Sequence, residues 1–221
     1  MPRASWLDID RPRAGRAALF ALGVLAATNL AAGVVLSVRP ERAVDFHMVV
    51  GWAADWLHGT SPFAAPDRFA DYPPWAVVLL SPLAMLPRGA QLAVWILINL
   101  CALGALSMTL VRRVEASPPT QLVLALLLVA TASARTLNQF SLASYALAVA
   151  GALSSSNVRG AAALGLALIK PQIAGVAWVW LVLSRQWGRA VTALAVPAGL
   201  MLVFAARVHQ HPTAVVVGTG M

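Results

Sequence analysis

Apolar runs separated by short polar turns fill most of this chain, and one long polar stretch, Arg39 to Pro74, interrupts them. The run Ala17 to Val38 covers roughly 33 Å at about 1.5 Å per residue, enough to cross a hydrocarbon core of about 30 Å. It follows a basic flank and is long for a cleavable signal peptide, so it reads as an uncleaved first span with the amino terminus in the cytoplasm. Inside the polar stretch Phe46, Val49, Val50, Ala53 and Leu57 recur at helical spacing beside Trp52 and Trp56, which predicts a helix lying at the membrane surface. Gly59 to Pro62 end it. A short apolar piece, Trp75 to Leu86, opens after Asp71-Tyr72-Pro73-Pro74 and has too few residues to cross. Consecutive prolines forbid a helix before them and make this a rigid extended entry.

Further along, Ala90 to Val111 is long enough to span and ends on Arg112 and Arg113, which the positive-inside tendency assigns to the cytoplasm. The runs Leu122 to Ala134, Phe140 to Leu153, Gly160 to Ile169, Ile173 to Ser184 and Ala190 to Ala206 then alternate in direction. Gly160 to Ser184 also reads as one helix kinked at Pro171. On the alternating path Arg112, Arg113, Arg159, Arg185 and Arg189 fall on one side of the membrane. Asp45, Arg135, Asn138, Gln139 and Lys170 fall on the other. The expected fold is all-α and polytopic, a single membrane domain over 1–221 with 39–74 as an extracytoplasmic loop carrying juxtamembrane helices.

Composition agrees with this pattern. Hydrophobic residues make up 60% of the chain and charged residues 11%, with a mean hydropathy of +0.76, so the bilayer is the solvent. The net charge of +8 comes from basic residues scattered singly or in pairs, a distribution that orients helices and does not form a nucleic-acid surface. Cys101 is the one cysteine and forms no intrachain disulfide.

Five of the eight acidic residues lie in the polar stretch: Glu41, Asp45, Asp55, Asp67 and Asp71. Asp45, just past the first span, faces the membrane surface either as a general base toward a lipid-borne substrate or as a helix cap. Tyr72 is either part of a substrate-binding joint or an interfacial aromatic beside Trp75. Lys170 is the only lysine; flanked by apolar runs, it must reach water or pair with an anion such as a phosphate. Asn138 and Gln139 offer neutral donors and acceptors to sugar hydroxyls or phosphate oxygens, or to other helices. His47, His58, His209 and His211 show no metal-ligand spacing, and no phosphate-cradling glycine loop occurs, so no metal or other cofactor is expected.

The order of these motifs resembles the polyprenyl-phosphate-sugar-dependent glycosyltransferases of family 87, within the GT-C membrane superfamily. The matching features are the aspartate after the first span, DFHMVVGWAADWLHGTSPF, DYPPWAVVLLSPLAMLP, NQFS, and AAALGLALIKPQ with RQWGR beyond. Asn138-Gln139 stands where the family commonly has Gly-Gln. The resemblance implies inverting transfer of a hexose, typically mannose, from a polyprenyl-phosphate sugar to a lipid or glycan acceptor on the outer face of a bacterial inner membrane. It puts the catalytic aspartate at Asp45, with Lys170 or Arg135 holding the departing lipid phosphate. Members are generally longer, so the chain is expected to represent an amino-terminal portion or a shortened copy. The reading from another class is a non-catalytic membrane protein, such as a transporter fragment or assembly partner. A transporter would carry ionisable groups mid-span, whereas here the acids cluster in a loop.

Overall fold

A computed structural model describes residues 14–39, 43–64 and 72–209, the side chains of 14 and 132–136 excepted. Glu41, Asp67, Asp71 and His211, and the side chain of Arg135, therefore lie outside the described residues. Within them the regular secondary structure is all helix: α1 (Ala14–Ser37), α2 (Val44–Leu57), α3 (Pro74–Ala84), α4 (Arg88–Val111), α5 (Pro118–Thr136), α6 (Ser141–Leu153), α7 (Asn157–Ala167), α8 (Pro171–Leu183) and α9 (Trp187–Arg207).

Three of these, α1, α4 and α9, are long and apolar enough to cross a bilayer. They leave large apolar side chains uncovered, among them Phe20, Leu97 and Leu202, which costs nothing when lipid is the neighbour. The protein is an all-α membrane protein. α3, with 11 residues, is roughly 16 Å long and falls well short of the ~30 Å core.

The break between α7 and α8 follows from covalent geometry. Proline disfavours a helical conformation in the residue before it, and Lys170 adopts φ −125°, ψ 85°, leaving Pro171 as the first residue of α8. Gly160 to Ser184 is thus two helices and not one kinked helix. Close packing around α7 depends on glycine. A Cβ on Gly165 would lie 2.5 Å from the Ala193 carbonyl oxygen of α9, and one on Gly151 of α6 would lie 2.6 Å from Leu164 Cγ. Small residues let helix backbones approach where no hydrophobic effect drives them together.

The apolar face of α2 is buried in protein. Phe46, Val49, Val50, Trp52, Ala53 and Trp56 join a core with residues of α3, and with Trp95 of α4, Phe140, and Met201 and Phe204 of α9. Trp56 Nε1 donates to the Phe204 carbonyl at 3.2 Å, and Arg207 Nη2 donates to the Leu57 carbonyl. α2 is in this way fastened along the end of the bundle where α9 finishes.

Polar contacts sort into two ends. At one, Trp75 Nε1 donates to the Leu168 carbonyl at 2.9 Å, joining the start of α3 to the end of α7. At the other, Arg113 Nη2 donates to the Leu153 carbonyl at 3.4 Å, and Arg189 Nη2 donates to the Ser154 carbonyl and to Asn157 Oδ1, each at 3.0 Å.

Candidate active site

Four helices bring their amino-terminal ends to one place. Asp45 is the second residue of α2, Tyr72 directly precedes the Pro73-Pro74 start of α3, Ser141 is the first residue of α6, and Lys170 is the N-cap of α8. Their separations in sequence are large, so only the tertiary fold assembles them.

Tyr72 is the hub. It is buried, at 4% exposure, and packs edge-on against the fully buried Phe140 with ring centroids 5.1 Å apart. Its hydroxyl donates to Asp45 Oδ2 at 3.5 Å, longer than the ~2.7 Å of a tight O–H···O bond, so the phenol orients the carboxylate without locking it. The Lys170 ammonium stands 5.7 Å from the centroid of the same ring, within cation–π range. Lys170 Nζ also donates to Ser141 Oγ at 2.9 Å. Asp45 and Lys170 make no ion pair with each other or with any other described residue.

Capping does not account for Asp45. Ala43 occupies the cap position of α2, no side chain caps that helix, and the half-buried Asp45 directs Oδ2 to Tyr72. An aspartate in a first turn still suits the exposed backbone N–H groups there. For Lys170 the position is opposite in sense. A helix amino terminus carries a partial positive charge, and Lys170 joins two of them, as the N-cap of α8 and through its hydrogen bond to Ser141 at the start of α6, neither of which has an acidic residue in its first turn. Asp45 belongs to the same cluster but makes no ion pair with Lys170, and positive charge at helix amino termini suits phosphate groups.

The floor of the site is aromatic. Phe46, Trp95 and Phe140 stack with centroids between 4.8 and 6.4 Å apart. Beneath them the fully buried Asn99 donates from Nδ2 to the Trp95 and Leu137 carbonyls at 3.2 and 3.1 Å, which secures the turn leading into α6. Asn138, buried, and Gln139, half-buried, lie in that turn, next to the cluster in sequence. Arg135 lies in the last turn of α5. Among the described residues no three His, Cys, Asp or Glu side chains gather as a metal site would require.

Sequence reasoning singled out Asp45, Tyr72 and Lys170, and these three meet. It missed Ser141 as the hydroxyl partner of Lys170, although Ser141 closes the NQFS motif at a helix start. It also missed Trp95 and Phe46 as the floor, because both read as ordinary apolar positions.

Comparison with known proteins places residues 69–214 in one family, glycosyltransferase family 87. Neither a curated protein nor a solved structure matches the chain. The matched region contains Tyr72, Asn138, Gln139, Ser141 and Lys170, and Asp45 precedes it. An all-helical membrane fold, a cluster built at the helix amino termini, and a match covering most of the chain converge: the chain belongs to glycosyltransferase family 87.

Proposed function

We propose that the protein transfers a hexose, mannose in the first instance, from a polyprenyl-phosphate sugar to a hydroxyl of a lipid or glycan acceptor, with inversion at the anomeric carbon. The observation that carries this reading is the union of an ammonium with the amino ends of α6 and α8 beside a carboxylate that pairs with neither.

In the reaction, Asp45 takes the proton of the acceptor hydroxyl as that oxygen bonds to the anomeric carbon. The bond from carbon to phosphate oxygen breaks, and its electron pair leaves with the lipid phosphate. Lys170 and the backbone N–H groups at the starts of α6 and α8 receive that charge. One displacement needs one base, in contrast to the carboxylate pair of a glycosidase. Asn138 and Gln139 supply sugar-hydroxyl contacts, and Arg135 a second cation for the phosphate. In the membrane, the end bearing Arg113, Arg159 and Arg189 faces the cytoplasm together with the amino terminus, and the Asp45 end faces outward.

The test is sugar transfer in proteoliposomes across a panel of polyprenyl-phosphate hexoses. The unmutated protein is expected to turn over at least one of them. Asp45→Asn retains shape and the hydrogen bond from Tyr72 but loses basicity, and transfer should fall at least ~10²-fold with donor binding retained. Near-normal turnover of Asp45→Asn would remove Asp45 as the base. No transfer from any donor by the unmutated protein would favour a non-catalytic membrane role.

A further inference from the structure

On the other side of α2 from Asp45 lies a cavity of about 420 Å³ between that helix and the start of α4, lined by His47, Val50, Gly51, Ala54, Arg88 and Gln91. Its size falls in the range of small-molecule sites, about 300–1,000 Å³. Asp45 and His47 are two positions apart, about 200° around a helix of 3.6 residues per turn, so the cavity and the Tyr72–Lys170 cluster open on different faces of α2.

Three features define what the cavity can hold. Its polar members are a guanidinium, an imidazole and a carboxamide, and among the described residues no acidic side chain lines it. Arg88 has no ion-pair or hydrogen-bond partner among the described residues, so its donors are free for an anion. Gly51 leaves the wall open, since a Cβ built there meets nothing within 4 Å. A mid-helix glycine costs about 1 kcal/mol relative to alanine, and here its missing side chain enlarges the cavity.

Place completes the argument. Arg88 is the first residue of α4, one of the three helices able to cross the bilayer, and so sits where hydrocarbon gives way to headgroups. Val50, Gly51 and Ala54 continue the wall as small apolar groups. A cationic head above an apolar wall at that depth is complementary to a phosphate esterified to a lipid. We infer that this cavity binds the phosphate headgroup of a membrane lipid, as a site separate from the one that contains Asp45 and Lys170. Arg88 engages the phosphate by its forked donors, His47 adds a ring N–H, and the apolar wall takes the first carbons of the lipid.

The experiment uses the full chain in an uncharged detergent, with bound lipid counted by native mass spectrometry. The probes are short-chain phosphatidylglycerol, the matching diacylglycerol, and inorganic phosphate. Phosphatidylglycerol is expected to occupy a saturable site whose affinity falls at least tenfold in the double variant His47→Gln/Arg88→Gln. Gly51→Leu, which fills the cavity, should reduce it to the same extent, while Lys170→Gln should stay within twofold of the parent. Circular dichroism verifies helicity in each, and if Gly51→Leu fails to fold, the double variant decides alone. Parent-like affinity in the double variant overturns the inference, as does equal binding of diacylglycerol. Inorganic phosphate binding as tightly as the lipid would also overturn it in favour of a soluble anion.

Discussion

Arg113 and Arg189 at one end of the helix bundle and Lys170 at the other meet opposite surroundings. At the end holding Arg113 and Arg189, each guanidinium meets oxygen: Arg113 the Leu153 carbonyl at the end of α6, Arg189 the Ser154 carbonyl and the Asn157 amide. A cation beside helix-terminal carbonyls is electrostatically complemented, and such contacts hold the structure. At the other end Lys170 stands at helix amino termini, donates to the Ser141 hydroxyl and lies over the Tyr72 ring, and it makes no ion pair with Asp45 of the same cluster. On the proposed function, the difference separates a cation that completes the fold from one that binds the donor phosphate. Counting basic residues along the sequence makes no such distinction.

Replacing the cations on either side should break that symmetry of appearance, and the largest effect is expected at Lys170. Lys170→Gln keeps a hydrogen bond to Ser141 within reach but removes the charge, and affinity for a polyprenyl-phosphate donor should fall about tenfold to a hundredfold, the scale of a charge-assisted contact of roughly 1.5–3 kcal/mol. Equilibrium binding of the donor checks it. Unchanged affinity would reduce Lys170 to a residue reaching for water.

A smaller effect is expected at Tyr72, which orients groups and carries no charge of its own. Tyr72→Phe preserves the packing on Phe140 and the ring face toward Lys170 while deleting the donor to Asp45. Loss of one such bond, worth about 1 kcal/mol, should slow turnover roughly fivefold and leave donor affinity close to the parent value. A Tyr72→Phe protein that loses donor binding instead would show that the hydroxyl touches substrate directly.

Least affected in transfer should be Arg189→Gln. Thermal unfolding should register a loss of about 1–2 kcal/mol from the missing contacts to Ser154 and Asn157, while donor affinity and turnover stay near the parent values. A marked fall in donor affinity in that variant would erase the contrast between the ends.

Much of the fold could be read from periodicity and punctuation. The long runs became α1, α4 and α9, the spacing of Phe46, Val49, Val50 and Ala53 became the buried face of α2, and the Pro-Pro and Lys-Pro pairs became the starts of α3 and α8. Local pattern fails where a residue has two local solutions. Gly160 to Ser184 fits a kinked helix as well as two helices, and the choice rests on the backbone of Lys170 and on the docking of α7 against α9 through Gly165. Likewise the apolar face of α2 suits lipid and protein equally by composition; Phe204, 148 residues beyond Trp56, decides for protein. The site was legible as three separate residues. Its geometry was not, because Asp45 meets Tyr72 across 27 positions and Lys170 meets Ser141 across 29. No periodicity reports such distances.

The helices behind Lys170 are short. α6, α7 and α8 have 13, 11 and 13 residues, or roughly 16 to 20 Å each, against roughly 36 Å for the 24 residues of α4. A bilayer about 30 Å thick cannot match both lengths at once, so lipid that meets these three is expected to face a hydrophobic mismatch. Thinning of the bilayer where it meets these helices is the expected response. Thickness of the host membrane is then expected to act on the protein, with a cost of fractions of a kcal/mol per ångström that thin, short-chain bilayers relieve and thick ones increase.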